Sequence, residues 1–238
     1  MGAHPTDRRD RDACAQSRRL GARLLRAAEY ECSAYDKFES LVQMLLLRYG
    51  MLPPETSWKS RRLAELASGF ADEVRTIARD AAPFEDVLGP VYMAVASQAH
   101  AQGMGQFFTP MSVARLMIAI TLGDVPRAPK ADGSLWTVAE PALGAGGMVL
   151  AAMGHIVSSH GTAALGAWGF YGMDLDLLCA RMAAAQIVMQ CDIQEAPVGE
   201  LVIWQGNSLT MEHRRLVVHA EHRARATARA PVKLRAAG

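Results

Sequence analysis

Three short apolar runs alternate with two longer helical stretches between residues 136 and 204. The apolar runs span 136–139, 169–173 and 201–204, and the stretches 147–159 and 177–190 between them have the length of crossover helices. Parallel strands need such a crossover, whereas antiparallel strands can be joined by a tight turn. The alternation therefore predicts an α/β fold with a partial sheet of about three parallel strands.

The residues before this alternation follow a helical pattern. Apolar side chains recur every three or four positions, and Pro53, Pro54 and Pro83 interrupt them. The last helical stretch is expected from Phe84 to about Gln102. We therefore divide the chain into a helical N-terminal region at 1–104, an α/β domain at 105–210 and a tail at 211–238.

The tail is basic, although the whole chain is nearly neutral. It holds seven Lys or Arg against two Glu, whereas the chain has a formal net charge of only +1. Three interpretations of the tail are open: an arm that lies along DNA phosphates, a solvated flexible end, or a shifted reading frame. We favour the last two, in which the tail has no binding role. His213, His219 and His222 fit no usual zinc spacing, so no metal site is predicted.

The cysteines and the apolar runs bear on the cellular compartment. None of the four cysteines has CxxC spacing and no export signal is evident, so we expect reduced thiols and a cytoplasmic location. The longest apolar runs are far shorter than the roughly 18 residues that a membrane-spanning helix needs. We therefore expect no membrane partner.

A glycine-rich turn follows the first predicted strand. Residues 140–147 read Glu-Pro-Ala-Leu-Gly-Ala-Gly-Gly and lead directly into a predicted helix. Glycines there allow a ligand to approach the backbone closely, and the helix amides point into the same crevice. The turn taken alone is equally compatible with simple punctuation of the chain.

Polar residues follow the second and third strands. Asp174 ends the second strand, where a carboxylate can accept hydrogen bonds from both ribose hydroxyls of a nucleoside. The alternative is that Asp174 or Asp176 caps the next helix, and we expect Asp176 to be that cap. The third strand ends in the polar turn at 206–209, which includes Asn207. We place this turn beside the adenine ring of a nucleoside that binds across the first two strands.

Four segments together resemble the cofactor motifs of adenine-N6 DNA methylases, and most closely those of the modification subunit of type I restriction systems. The segments are Gln-Phe-Phe-Thr-Pro at 106–110, the glycine turn at 140–147, Tyr-Gly-Met-Asp at 171–174 and Gly-Asn-Ser-Leu at 206–209. Residues 84–92 resemble the helix that precedes the cofactor site in that family, although Met93 replaces the usual Glu. The resemblance covers about residues 84–210.

The resemblance implies a Rossmann-like, S-adenosylmethionine-dependent methyltransferase domain that acts on double-stranded DNA. It implies a lid over the methionine end of the cofactor, a lining for its amino-acid and sulfonium side, a ribose ligand and an adenine ligand. Many relatives have Asp at the adenine position, and the Asn in this chain offers only a neutral acceptor. The implied cofactor residues are Phe107, Phe108, Thr109 and Pro110 in the lid, Glu140, Pro141, Gly144 and Gly146 in the lining, Asp174 at the ribose and Asn207 at the adenine.

Relatives also carry an Asn or Asp followed by Pro-Pro and an aromatic residue, which holds the flipped adenine. Residues 209–238 contain no such motif, so the catalytic residues are unknown, and catalysis is either supplied by a partner subunit or lost. The alternatives are a non-catalytic DNA-associated or regulatory subunit and, less favoured, a methyltransferase for a different substrate. The first strand is normally central in such sheets, so its free edge should be covered by residues 216–218, by the N-terminal helices or by another polypeptide.

Overall fold

The computed structural model describes residues 5–27, 32–52, 58–96 and 107–221 of the 238-residue chain. It has a helical N-terminal region followed by an α/β region, as the sequence predicts. In chain order the elements are α1 Pro5–Arg26, α2 Ala34–Arg48, α3 Arg61–Asp80, α4 Leu88–Val95, α5 Met111–Leu122, β1 Trp136–Glu140, α6 Gly147–His160, a 3₁₀ turn Thr162–Ala167, β2 Trp168–Asp174, α7 Leu177–Ile193, β3 Glu200–Asn207 and β4 Glu212–Glu221.

Two of the N-terminal helices, α2 and α3, begin at side-chain caps. Ser33 Oγ accepts a hydrogen bond from the Asp36 N–H, and the Asp36 carboxylate accepts one from the Ser33 N–H, which forms a capping box at the start of α2. Ser60 caps α3 through the Leu63 N–H. The apolar sides of these helices join the sheet in one continuous hydrophobic core. The helical region is therefore packed onto the α/β region.

The sheet has four strands in the order β1-β2-β3-β4. The first three run parallel, with Val138 opposite Phe170 and Phe170 opposite Leu201. Helix α6 packs against β1, and α7 packs against β2 and β3. The three predicted parallel strands and both crossover helices are thus confirmed, and the carboxyl ends of β1, β2 and β3 meet at one edge.

The fourth strand lies in the segment that we expected to be a flexible tail. β4 pairs antiparallel with β3, and Val218, opposite Ile203, is buried. The apolar and β-branched residues at 216–218 favour a strand once β3 offers them a partner. The basic character of the segment concealed this pattern, and residues 222–238 lie outside the described ranges.

β1 lies at the edge of the sheet in the described ranges, where it pairs with β2 alone. Residues 216–218, which we considered as a cover for β1, pair with β3 on the opposite side. A hairpin partner is closer for β3 than for β1, because only residues 208–211 separate β3 from β4. The free edge of β1 therefore remains open in this part of the chain.

Two further predictions can be compared with the structure. The helix that we expected from Phe84 begins only at Leu88, because residues 84–87 are held in a non-helical conformation by side chains of α7. Residues 97–106, which include the rest of that predicted helix, lie outside the described ranges. Within those ranges, none of the helices is both long enough and apolar enough to cross a bilayer.

Candidate cofactor-binding site

The chain turns sharply between the end of β1 and the start of α6. Gly144 and Gly146 have φ angles of 53° and 88°, in the left-handed region that side chains disfavour. The Gly146 N–H donates to the Leu143 carbonyl at 2.8 Å and closes the turn. A Cβ on Gly146 would lie 3.1 Å from the Cβ of Ala183 in α7. Both the backbone conformation and the available space therefore require glycine at position 146.

Asp174, at the end of β2, supports this turn from the neighbouring strand. Its Oδ2 accepts a hydrogen bond from the Gly144 N–H at 2.7 Å, and its Oδ1 accepts one from the Asp176 N–H at 2.9 Å. Burial raises the pKa of Asp174, and these amide hydrogen bonds oppose the rise. A carboxylate can accept about four hydrogen bonds, so Asp174 retains acceptor capacity.

Asp176 caps the helix that follows β2. Its Oδ1 accepts a hydrogen bond from the Leu178 N–H at 2.8 Å at the start of α7. The predicted cap is therefore confirmed, and Asp174 has a separate position at the glycine turn.

A crevice with a cavity volume of about 90 Å³ opens beside the glycine turn. The ring of Phe108 packs on Tyr92 with centroids 5.2 Å apart and lies 3.1 Å from the position that a Cβ on Gly144 would occupy. Phe107 is 66% exposed at the mouth. The lining residues are Asp86, Phe107, Phe108, Thr109, Ala142, Leu143, Gly144, Ala145, Gly147 and Met148.

Only four of the ten predicted cofactor residues line this crevice, namely Phe107, Phe108, Thr109 and Gly144. The other six do not line it. Pro110 is the residue before the first turn of α5, Gly146 lies within the glycine turn and faces Ala183 of α7, and Asp174 accepts a hydrogen bond from the Gly144 N–H. Glu140 accepts a hydrogen bond from the Ala142 N–H at 3.0 Å, and Pro141 lies between these two residues.

Asn207 lies at the carboxyl end of β3, at the same sheet edge as Asp174. Its Oδ1 accepts hydrogen bonds from the N–H groups of Leu209 at 3.0 Å and Thr210 at 3.4 Å. The side chain therefore shapes the turn between β3 and β4, and it is absent from the crevice lining. Its contact with adenine stays a prediction.

Sequence reasoning missed a buried polar network that ties residues 84–89 to the crevice. Gln186 Oε1, on α7, accepts hydrogen bonds from the N–H groups of Val87 at 3.3 Å and Leu88 at 3.1 Å. Gln186 Nε2 donates to Asp86 Oδ1 at 3.0 Å and to the Ala145 carbonyl. One side chain thus connects the segment before α4 with the glycine turn.

A second buried acid lies beside this network. Arg115 of α5 donates to Glu85 and to Asp10 of α1, and it joins three elements. Burial raises the pKa of Glu85 to about 8, although Arg115 opposes the rise. Gln190 Nε2 also donates to the Glu85 carbonyl at 3.1 Å.

Within residues 107–221, His213 and His219 do not meet in one metal-ligand set. His219 Nε2 lies 3.2 Å from a carboxylate oxygen of Glu200 and 3.2 Å from one of Glu221, on β3 and β4. His213 contacts the ring of Trp204, and His222 lies outside the described ranges. Glu200, His219 and Glu221 could hold a metal ion, but exposed acidic groups are common without one, so the absence of a metal site stays a prediction.

Comparisons with known proteins bear on this site. The family model described as N-6 DNA Methylase matches residues 84–224. A candidate class I S-adenosylmethionine-dependent methyltransferase from Listeria monocytogenes is 12% identical, with a TM-score of 0.44 over 83% of this chain and 54% of that one. The methyltransferase subunit of a type I restriction-modification system from Streptococcus thermophilus is 14% identical, with a TM-score of 0.36 over 85% of this chain and 59% of that one.

The chain thus spans little more than half the length of these two solved structures. No curated protein matches it. The family match covers more than half of the chain, begins at the segment held by Gln186 and includes the glycine turn, Asp174 and Asn207. The chain therefore belongs to the N-6 DNA methylase family.

Proposed function

We propose that the chain binds S-adenosylmethionine at the glycine turn and forms the cofactor-binding part of an adenine-specific DNA methyltransferase. One observation carries the proposal. The Gly144 N–H donates to Asp174 Oδ2 at 2.7 Å, so the turn after β1 and the acid after β2 are held together beside the crevice. A carboxylate there binds ribose hydroxyls, and the backbone of the turn accommodates the rest of the cofactor.

The aromatic residues at the mouth of the crevice support the same assignment. Phe107 is largely exposed, whereas Phe108 packs against Gly144. An exposed aromatic side chain beside a crevice can close over a ligand that carries positive charge, because ring faces attract cations. We therefore assign Phe107 and Phe108 to the methionine end of the cofactor.

Calorimetric titration of S-adenosylmethionine into the purified chain tests the proposal. We expect one site with an affinity in the micromolar range and a loss of at least about tenfold in the Asp174→Asn variant, because an amide offers fewer and weaker acceptors. Asp132→Asn, in the exposed loop before β1, is the matched control and should bind like the wild type. Absence of binding at millimolar cofactor would refute the proposal.

Methyl transfer requires a flipped adenine held by polar acceptors and an aromatic ring. The sequence contains no Asn or Asp followed by Pro-Pro. We therefore propose that a partner polypeptide supplies this part and that the isolated chain transfers no methyl group. Incorporation of tritiated methyl groups into unmethylated double-stranded DNA by the purified chain alone would contradict this.

A second candidate function is that of a non-catalytic, DNA-associated or regulatory subunit, which a specific surface favours. Helix α5 exposes four large apolar side chains at helical spacing, which we call the apolar row: Val113, Leu116, Met117 and Ile120, with exposures of 44%, 61%, 47% and 76%. Such a contiguous patch is unusual on a free monomer and marks a contact surface. Cofactor titration separates the functions, because a purely structural subunit would not bind the methyl donor.

A further inference from the structure

Asp86 is a buried carboxylate in the wall of the crevice. Only 6% of the residue is exposed, and it lines the crevice together with Phe108, Thr109 and Gly144. Its Oδ1 accepts hydrogen bonds from the Gly89 N–H at 2.7 Å and from Gln186 Nε2 at 3.0 Å. These donors fix the orientation of the carboxylate relative to the glycine turn.

The second oxygen of this carboxylate accepts no hydrogen bond from the described residues. A Cβ on residue 89 would lie 2.1 Å from Asp86 Oδ2. This oxygen fits beside residue 89 only because that residue is glycine. The nearby cation, Arg115, is engaged by Glu85 and Asp10. Asp86 therefore has neutral donors on one oxygen and no counter-ion among the described residues.

An uncompensated carboxylate is costly in such a place. Burial raises the pKa of Asp86 to about 6, and the hydrogen bonds from Gly89 and Gln186 only partly oppose the rise. Burying a charge without a partner is unfavourable, and acids held in this state inside a crevice are concentrated at ligand sites. A positively charged ligand group would supply the missing partner.

We propose that Asp86 binds the positively charged methionine end of the methyl donor. The inference rests on the proposed function, and it adds a specificity residue from the segment before α4 to the glycine turn and Asp174. S-adenosylmethionine has an ammonium and a sulfonium group at this end, and either can approach a carboxylate. In the water-poor crevice wall such a pairing is much stronger than in bulk solvent.

A series of three ligands tests the proposal on the wild type and on Asp86→Asn. S-adenosylmethionine has both positive groups, S-adenosylhomocysteine keeps only the ammonium, and methylthioadenosine has neither. We expect Asp86→Asn to weaken S-adenosylmethionine binding by at least about tenfold, since it removes a charged partner, and to leave methylthioadenosine binding unchanged. An equal loss for S-adenosylhomocysteine assigns the ammonium, and an unchanged affinity for it assigns the sulfonium.

The control is Asp132→Asn, which makes the same chemical change in an exposed loop and should change no affinity. If Asp86→Asn binds S-adenosylmethionine as tightly as the wild type does, the inference is overturned and the proposed function still stands. A uniform loss for all three ligands would overturn it too, because the change would then act on the shape of the crevice. Absence of binding by the wild type would refute the proposed function itself.

The wild type alone provides a second measurement that does not depend on the folding of the variant. If Asp86 binds the methionine end, methylthioadenosine should bind the wild type at least about tenfold more weakly than S-adenosylmethionine. Equal affinities for these two ligands would overturn the inference.

Discussion

The crevice differs from the flank, a term we use for β1 together with α5. The polar groups of the crevice are hydrogen-bonded within the chain, whereas the flank leaves a strand edge and apolar side chains without a partner in the described ranges. At the crevice, Asp174 accepts a hydrogen bond from the Gly144 N–H of the glycine turn, and Gln186 donates one to the Ala145 carbonyl of the same turn. At the flank, β1 has a single paired neighbour in the described ranges, and α5 turns its apolar row toward solvent. We propose that the crevice binds a ligand and that a partner covers the flank.

The opposite edge of the sheet supports this interpretation. The exposed residues of β4 include Glu212, Arg214 and Arg215, and charged side chains are a common protection for an exposed strand. The apolar row has no ionisable residue, and the buried side of α5 faces α6 through Ala114 and Ile118. The difference suggests that cofactor binding and association with a partner are separate properties of this chain.

The largest effect is expected at the glycine turn. Gly146→Ala should lower the free energy of unfolding by about 2–4 kcal/mol, because the new Cβ is strained at φ 88° and meets Ala183. Gly133→Ala is the control, since its φ is 79° but no atom lies within 4 Å of the new Cβ. It should cost about 1–2 kcal/mol. Equal losses in urea unfolding would contradict tight packing at the turn.

Substitution of the apolar row should act on association and spare the crevice. We expect the wild-type chain to self-associate at high micromolar concentration and the Leu116→Lys, Ile120→Lys double variant to weaken this by at least about tenfold. Leu209→Lys, at an isolated exposed leucine of the β3–β4 turn, is the control. Sedimentation measures the association. A wild type that stays monomeric, with both variants alike, would contradict self-association through the row.

The pH dependence of stability should come from the two buried acids beside the glycine turn, because burial raises the pKa of Asp86 to about 6 and that of Glu85 to about 8. The pKa of Asp86 in the folded chain, about 6, lies above its ordinary value, so the folded state binds more protons. Its contribution to stability is therefore present at low pH and is lost as pH rises through about 6. We expect Asp86 to contribute a fall of about 1 kcal/mol per pH unit between about pH 4 and pH 6. In Asp86→Asn, the free energy of unfolding measured with urea should depend less on pH than in the wild type. An unchanged pH dependence would contradict the assignment of this contribution to Asp86.

The smallest effect is expected at the charged β4 edge. Arg214 pairs with Glu212 at 3.1 Å, and both side chains are about half exposed. Solvent screens such a pair, so Arg214→Ala should leave the urea midpoint unchanged within error. A clear destabilisation would show that this edge depends on the pair, and the contrast with the apolar flank would be weaker.

The parallel core of the sheet could be predicted because its signal is local. Buried parallel strands read as continuous apolar runs, and the cap at Asp176 follows directly from its position before α7. The role of Asp176 was therefore predicted correctly. β4 was missed because Arg214, Arg215 and Glu212 stand out in its composition, and the antiparallel pairing with β3 along its length that stabilises it as a strand is not a local signal.

The candidate site was only partly accessible to sequence reasoning. The glycine turn and Asp174 belong to adjacent strands, so their proximity follows from the order of the elements. Asp86 and Gln186 are 100 positions apart, and no local pattern connects them. A signal did exist, because buried glutamines are uncommon in an apolar helix, and Gln186 and Gln190 lie on one side of α7. Such residues indicate that a polar segment packs against the helix.

The most direct test of the account is a nuclear magnetic resonance titration with S-adenosylmethionine that follows the backbone amides. The account predicts saturable shifts at Gly144, Ala145 and Phe108 and no shifts at Leu116 and Ile120 in the apolar row. Shifts confined to the row, or a spectrum that does not change at millimolar cofactor, would contradict the claim that the glycine turn binds the methyl donor.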